Sequence, residues 1–188
     1  MRRIFCILSV ILIFCASCTV SEDADRLAYQ NEKLYIEADV TLNDEYFPVT
    51  ITLEEPEYDE NGRMYARNGV LSIGENSILS GIVFEFQGGK VYVSSGEMKI
   101  PIEDEEMISG ISDIISLFCI SDDFYYSSEK LTVDKLKCEN VVFIDGDNRV
   151  EVMIDLSCNL PKMITAAVNG RNIAANIGYI KAEAAGTK

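Results

Sequence analysis

The chain has 188 residues, with 16 Lys and Arg against 31 Asp and Glu, a formal charge of −15, and neither His nor Trp. The missing His excludes Ser-His-Asp and Cys-His catalysis and the commonest zinc ligand. The acidic balance excludes a nucleic-acid partner, since phosphate binding needs a surplus of Lys and Arg. It points instead to a soluble, self-repelling surface.

The N-terminus is a targeting segment. Arg2 and Arg3 precede an apolar run, Ile4 to Phe14, about half as long as the ~20 residues a membrane-spanning helix needs. Ala16-Ser17-Cys18 then resembles the lipobox of bacterial lipoproteins, although Cys15 stands where Leu, Val or Ile is usual. Residues 1–17 are thus expected to leave as a signal peptide. Cys18 then carries the lipid that anchors an extracytoplasmic protein to the bacterial cell membrane. The alternative is an ordinary signal peptide that leaves Cys18 a plain thiol. Residues 18–33 read as a tether, with Ala24–Glu32 a candidate short helix. Cys119, Cys138 and Cys158 remain. One disulfide is open to them, Cys138–Cys158 between neighbouring strands, and the plainer reading is three buried free thiols.

From Leu34 the pattern is that of strands. Leu34, Ile36, Ala38, Val40 and Leu42 alternate with polar residues, Asn43-Asp44-Glu45 turns the chain, and Tyr46–Glu54 returns. Pro48 has no N–H for a ladder and suggests an edge or an irregular strand start. Gly62–Leu71 reads as a third strand that Gly69 interrupts. Ser80–Ser94 reads as a central hairpin turning at Gly88-Gly89, and Met98–Ile102 as a further strand. Asp104–Cys119 is the best helix, with acids in its first turn to suit the helix dipole. Gly110 weakens it, which suggests close packing on the sheet. Phe124–Ser128, Lys135–Ile144 and Val150–Leu156 read as strands. A last hairpin, Lys162–Val168 and Asn172–Lys181, turns at Asn169-Gly170, and residues 182–188 form a frayed tail.

About ten strands in sequential hairpins with so little helix imply a mainly β (α+β) domain over residues 34–181. Its strongly curved antiparallel sheet forms an open half barrel, with one or two helices plugging the concave face. The candidate apolar lining comes from two places: Ile82, Phe84, Phe86, Val91 and Val93 on the hairpin, and Met107, Ile111, Ile114 and Phe118 on the helix. The competing reading is that these side chains fill one another and leave no cavity.

Other chemistry is thin. Glu54-Glu55, Asp59-Glu60 and Glu103–Glu106 read as solvated surface rather than acid/base pairs. Asp145-Gly146-Asp147-Asn148 reads as a turn, because Leu156 stands where a calcium loop needs Glu. Tyr125-Tyr126 could stack a carbohydrate, though strand aromatics more often serve packing. No metal site, cofactor motif or catalytic constellation emerges, so an enzyme is not expected.

Three segments carry a family resemblance: GIVFEFQGGKVYVS (81–94), the acid-led helix at 104–119, and LSCNLPKMITAAVNGRNIAANI (156–177). Together they resemble the LolA-like lipoprotein-carrier fold, with the lipid-binding lipoproteins LppX and LprG and small clostridial-type lipoproteins. The resemblance implies an eight-to-eleven-stranded curved sheet with an apolar cavity for acyl chains. The chain has no match for the Arg by which LolA is thought to act, so lipoprotein sorting is not implied. The functional expectation is a non-enzymatic, membrane-anchored lipoprotein that binds or shields a lipid or acyl chain. The alternative is an envelope scaffold with a filled core and a protein partner, for example in sporulation or germination.

Overall fold

The computed structural model describes residues 26–58, 60, 64–75, 79–88, 90–95, 98–103 and 105–183. The signal segment, Cys18, Asp104 and Gly89 lie outside the described residues, as do residues 184–188 of the tail and the side chain of Met107. In chain order the strands are β1 (Lys33–Leu42), β2 (Glu45–Leu53), β3 (Glu57–Tyr58), β4 (Met64–Ala66), β5 (Gly69–Ile73), β6 (Val83–Gln87), β7 (Lys90–Ser95) and β8 (Met98–Pro101). After the helix α1 (Glu105–Ser116) come β9 (Tyr125–Val133), β10 (Leu136–Asp145), β11 (Asn148–Asp155), β12 (Leu160–Val168) and β13 (Arg171–Glu183).

Eleven strands form one open antiparallel sheet in the order β8-β7-β6-β5-β2-β1-β13-β12-β11-β10-β9, and β3-β4 is a separate small pair. This is the half barrel expected from the pattern, with a single α-helix among the described residues. Two-residue turns fix the register where both central residues take positive φ, as at Asn43-Asp44, Asp134-Lys135 and Asn169-Gly170. Pairing of β1 with β13 joins the first and last strands at the middle of the sheet. β8 and β9 are consecutive in the chain yet lie at opposite edges. The segment between them must therefore cross the sheet, and α1 is that segment.

The hairpin Ser80–Ser94 is not central as expected: β6 and β7 lie two and one strands from an edge, and β1 takes the middle. Its period-two alternation was legible, but lateral position depends on partners far along the chain. Pro48 sits in an interior strand, paired with Asp39 of β1. Its carbonyl accepts from Gly74 N at 2.8 Å, just past the end of β5, so its missing N–H faces a side where the ladder has stopped. Gly62–Leu71 is not one strand but holds the whole of β4 and the start of β5, which lie in different sheets. A Cβ at Gly69 would lie 2.4 Å from Thr52 O, so only glycine allows that close crossing.

The candidate N-terminal helix is a short 3-10 turn, Ala28–Asn31. It is not loose tether: Leu27, Tyr29 and Gln30 are buried beneath the sheet. Most of the other tyrosines with a described side chain lie on the surface rather than in the core, including Tyr125 and Tyr126. No helix among the described residues is long and apolar enough to cross a membrane.

Candidate functional site: an apolar pocket beside the helix

The concave face is filled at one end and hollow at the other. β1 runs through both: its inward residues are buried from Leu34 to Val40, and only Leu42 at its end lines the hollow. Leu34 and Ile36 are fully buried at its start, packed in one cluster with Leu53, Leu117, Phe118 and the Tyr29 turn. Arg67 closes that end. Its donors go to the carbonyls of Glu54 (2.8 Å), Phe118 (3.3 Å) and Glu32, tying β2, the end of the helical segment and the N-terminal turn together. Gln30 adds a bond from Ile120 N to its Oε1 at 2.7 Å. Burial lowers the Arg67 pKa, while the neighbouring Cys119 and Tyr58 pull it back up. Burial also raises the Tyr29 hydroxyl and pushes the Cys119 thiol up to about 11.

At its other end β1 finishes in Leu42, and here α1 and the sheet separate. Between them lies a pocket of about 580 Å³. Its walls are Leu42 of β1, Phe47 of β2, Leu71 and Ile73 of β5, Phe84 of β6 and Val93 of β7, with Leu79 and Ile82 on the loop before β6. The helix contributes Gly110, Ile111 and Ile114, and the polar groups are confined to Asn43, Glu45 and Arg171. A volume in the ~300–1,000 Å³ range with mostly apolar walls and a few polar groups is that of a small-ligand site.

The helix is held over the pocket by one polar latch. Arg171 Nη1 donates to Asp113 Oδ2 and to Ser109 Oγ, both at 2.8 Å, and Asn169 Nδ2 donates to Asp113 Oδ1 at 2.9 Å. Asp113 is 5% exposed, so its carboxylate is nearly removed from water and depends on these donors. The β12–β13 turn thus carries two of the residues that fix α1. Neither Asp113 nor Arg171 stood out in the sequence, because their partnership spans 58 positions.

Five of the expected lining residues meet at the pocket: Ile82, Phe84, Val93, Ile111 and Ile114. Val91 and Phe118 are buried in the packed core, and Phe86 packs against it; none of the three lines the cavity. Leu42, Phe47, Leu71 and Ile73 were missed, although the period-two pattern places Leu42 and Phe47 on inward faces. Gly110 also has a different role from the one expected. A Cβ there would meet only Leu42 Cδ2, at an unstrained 3.7 Å, so no close contact demands glycine. Glycine nonetheless costs a helix about 1 kcal/mol relative to alanine.

Cys119, Cys138 and Cys158 carry free thiols. Cys138 is buried on β10 with its sulfur 3.9 Å from Leu136 O. Cys158 is exposed in the β11–β12 turn, its sulfur 3.9 Å from Asp155 O. Strand β10 pairs Cys138 with Asp155, three residues before Cys158, so the one disulfide left open is out of register. The thiols are free, as the plainer reading has it, but only Cys138 is fully buried.

No protein-family model and no curated protein matches the chain. Solved structures do match it. A structure of MucB is 13% identical, covers 90% of this chain and 60% of its own, and has a TM-score of 0.52; MucB has also been solved in complex with MucA from Pseudomonas aeruginosa. The chain therefore spans about 60% of MucB. An uncharacterised conserved protein of Thermus thermophilus is 8% identical over 85% of this chain and 84% of its own, with a TM-score of 0.51. A LolA superfamily protein from Nitrosomonas europaea is 10% identical over 82% and 87%, at 0.36. At these identities the likeness is one of fold. What the chain shares with MucB and the Thermus protein is thus the fold, an open antiparallel half barrel with a helix across its concave face.

Proposed function

We propose that this protein is a non-enzymatic, extracytoplasmic lipoprotein, anchored through a lipid on Cys18, that holds the apolar part of a lipid between α1 and strands β1, β2 and β5–β7. One observation carries the reading: a continuous apolar face is left unfilled beside the helix, with a volume of about 580 Å³. Buried apolar surface gains roughly 25 cal/mol per Å² when removed from water, so an open apolar wall favours an apolar occupant. The polar groups stand at one side of the pocket, which suits an amphiphile with its head outward. Native mass spectrometry of the chain from Thr19 to Lys188 tests this. A reproducible added mass in the lipid range, lost on solvent extraction, is expected. A bare mass that stays unchanged after incubation with lipid would contradict it. Palmitate labelling that disappears in Cys18→Ser tests the anchor.

A second reading is favoured by a different surface. Phe124, Tyr125 and Tyr126 are exposed at the start of edge strand β9. MucB, which shares the fold, has been solved with a protein partner. An envelope protein docked along β9 would make the half barrel a scaffold. Crosslinking that depends on Tyr125 and Tyr126, with no lipid recovered, is the result that reading requires.

A further inference from the structure

We infer that the pocket takes a single-tailed amphiphile with an uncharged or zwitterionic head, such as a monoacylglycerol or a lysophospholipid, and rejects two-tailed lipids. This rests on the lipid-binding reading above and narrows it to one ligand class. Three observations carry it.

The first is size. If a methylene group fills about the ~30 Å³ that a water molecule takes in the liquid, about 580 Å³ accepts on the order of twenty such groups. That is one long acyl chain with its linkage. A diacyl lipid needs about twice the space. The filled half of the barrel offers none, because Leu34, Ile36, Leu53 and Phe118 already occupy it.

The second is Gly110. It faces the pocket from mid-helix, and a side chain there would meet only Leu42 Cδ2 at 3.7 Å. The helix is weakened by a residue that no packing contact requires. What the absent side chain preserves is the depth of the pocket. A tail lying against the helix at this point would use that space along its length.

The third is charge. Arg171 is the only cation among the described lining residues, and its Nη1 is committed to Asp113 and Ser109 at 2.8 Å each. Glu45 lines the pocket as well. The balance over Arg171, Asp113 and Glu45 is one negative charge, so the polar side is no receptor for a carboxylate or a phosphomonoester. Asn43 and Glu45 can still accept from hydroxyl or ammonium groups, and Arg171 can donate to a hydroxyl oxygen.

The test uses the full chain with a photoreactive, clickable monoacylglycerol, the probe and each competing lipid being delivered from methyl-β-cyclodextrin. Crosslinks are expected in the segments 42–47, 71–73, 79–84 and 110–114. Unlabelled monoacylglycerol should compete at least tenfold better than oleate or than a dioleoyl phospholipid. Gly110→Ala should keep most of the labelling and Gly110→Leu should lose it. The competition series on the unaltered chain needs no variant and so does not depend on how Gly110→Leu folds. Equal or better competition by the two-tailed lipid would overturn the single-tail inference while leaving lipid binding intact. Better competition by oleate would overturn the head assignment. Labelling that none of the three unlabelled lipids competes away would overturn both this inference and the lipid-binding reading.

Discussion

Arg67 illustrates how a long-range structural role can hide in an unremarkable position. Its guanidinium donates to three carbonyls from three segments. Arg67→Ala would leave these buried acceptors without a donor, at ~1–3 kcal/mol for each left unsatisfied. We expect a loss of about 3–5 kcal/mol in urea unfolding, with the pocket end of the barrel less affected than the closed end. A full retention of stability would show that water replaces the guanidinium there. Beside it, Cys119 is held neutral by burial, its pKa raised from 9.0 to about 11 against the pull of Arg67. The folded value lies above the unfolded one, so this contribution is fully present below pH 9 and is lost as pH rises toward 11. Across that window stability should fall by on the order of 2–3 kcal/mol. Cys119→Ala should flatten the part of the fall that begins at pH 9, leaving the later contribution of Tyr29, whose pKa is also raised. An unchanged slope in Cys119→Ala would place the titration elsewhere.

At the scale of elements, α1 is the component that makes a pocket out of a sheet. Its route is set by topology, since it links the two edge strands, and its position is set by the Asp113–Arg171 latch. Asp113→Ala removes the carboxylate and leaves Arg171 with one buried partner fewer. A loss of about 3 kcal/mol is expected, as for other broken buried pairs. Hydrogen exchange should rise in Glu105–Ser116 before it rises in β1 or β13. Uniform exchange across the sheet would mean the latch does not hold the helix specifically. The helix itself was legible in the sequence from its 3.6-residue apolar stripe, and β1, β11 and the Asn169-Gly170 hairpin from equally local signals. The β9–β10 turn was not, because Asp134 and Lys135 take positive φ without glycine. Lateral strand order, the latch and the choice between pocket and filled core depend on residues far apart in sequence, so periodicity alone left them open. Ile82, Phe84 and Ile111 were readable as apolar and inward. That they face a cavity while Phe118 faces solid core follows only from where α1 lifts off the sheet.

In the molecule as a whole, one concave face divides into two zones: a packed end under Arg67 and an open end under Gly110. Ligand binding and fold stability should therefore be separable, which a uniformly lined barrel would not allow. The acidic composition disfavours anionic partners. The most direct test is methyl NMR of the isoleucine-labelled chain titrated with a monoacylglycerol. Ile73, Ile82, Ile111 and Ile114 line the pocket, whereas Ile36, Ile154 and Ile164 are buried and do not line it. The expected result is saturable shifts of the first four methyl sets with the latter three unmoved. Saturation with no shift at the first four, or shifts of equal size in both groups, would contradict the two-zone account.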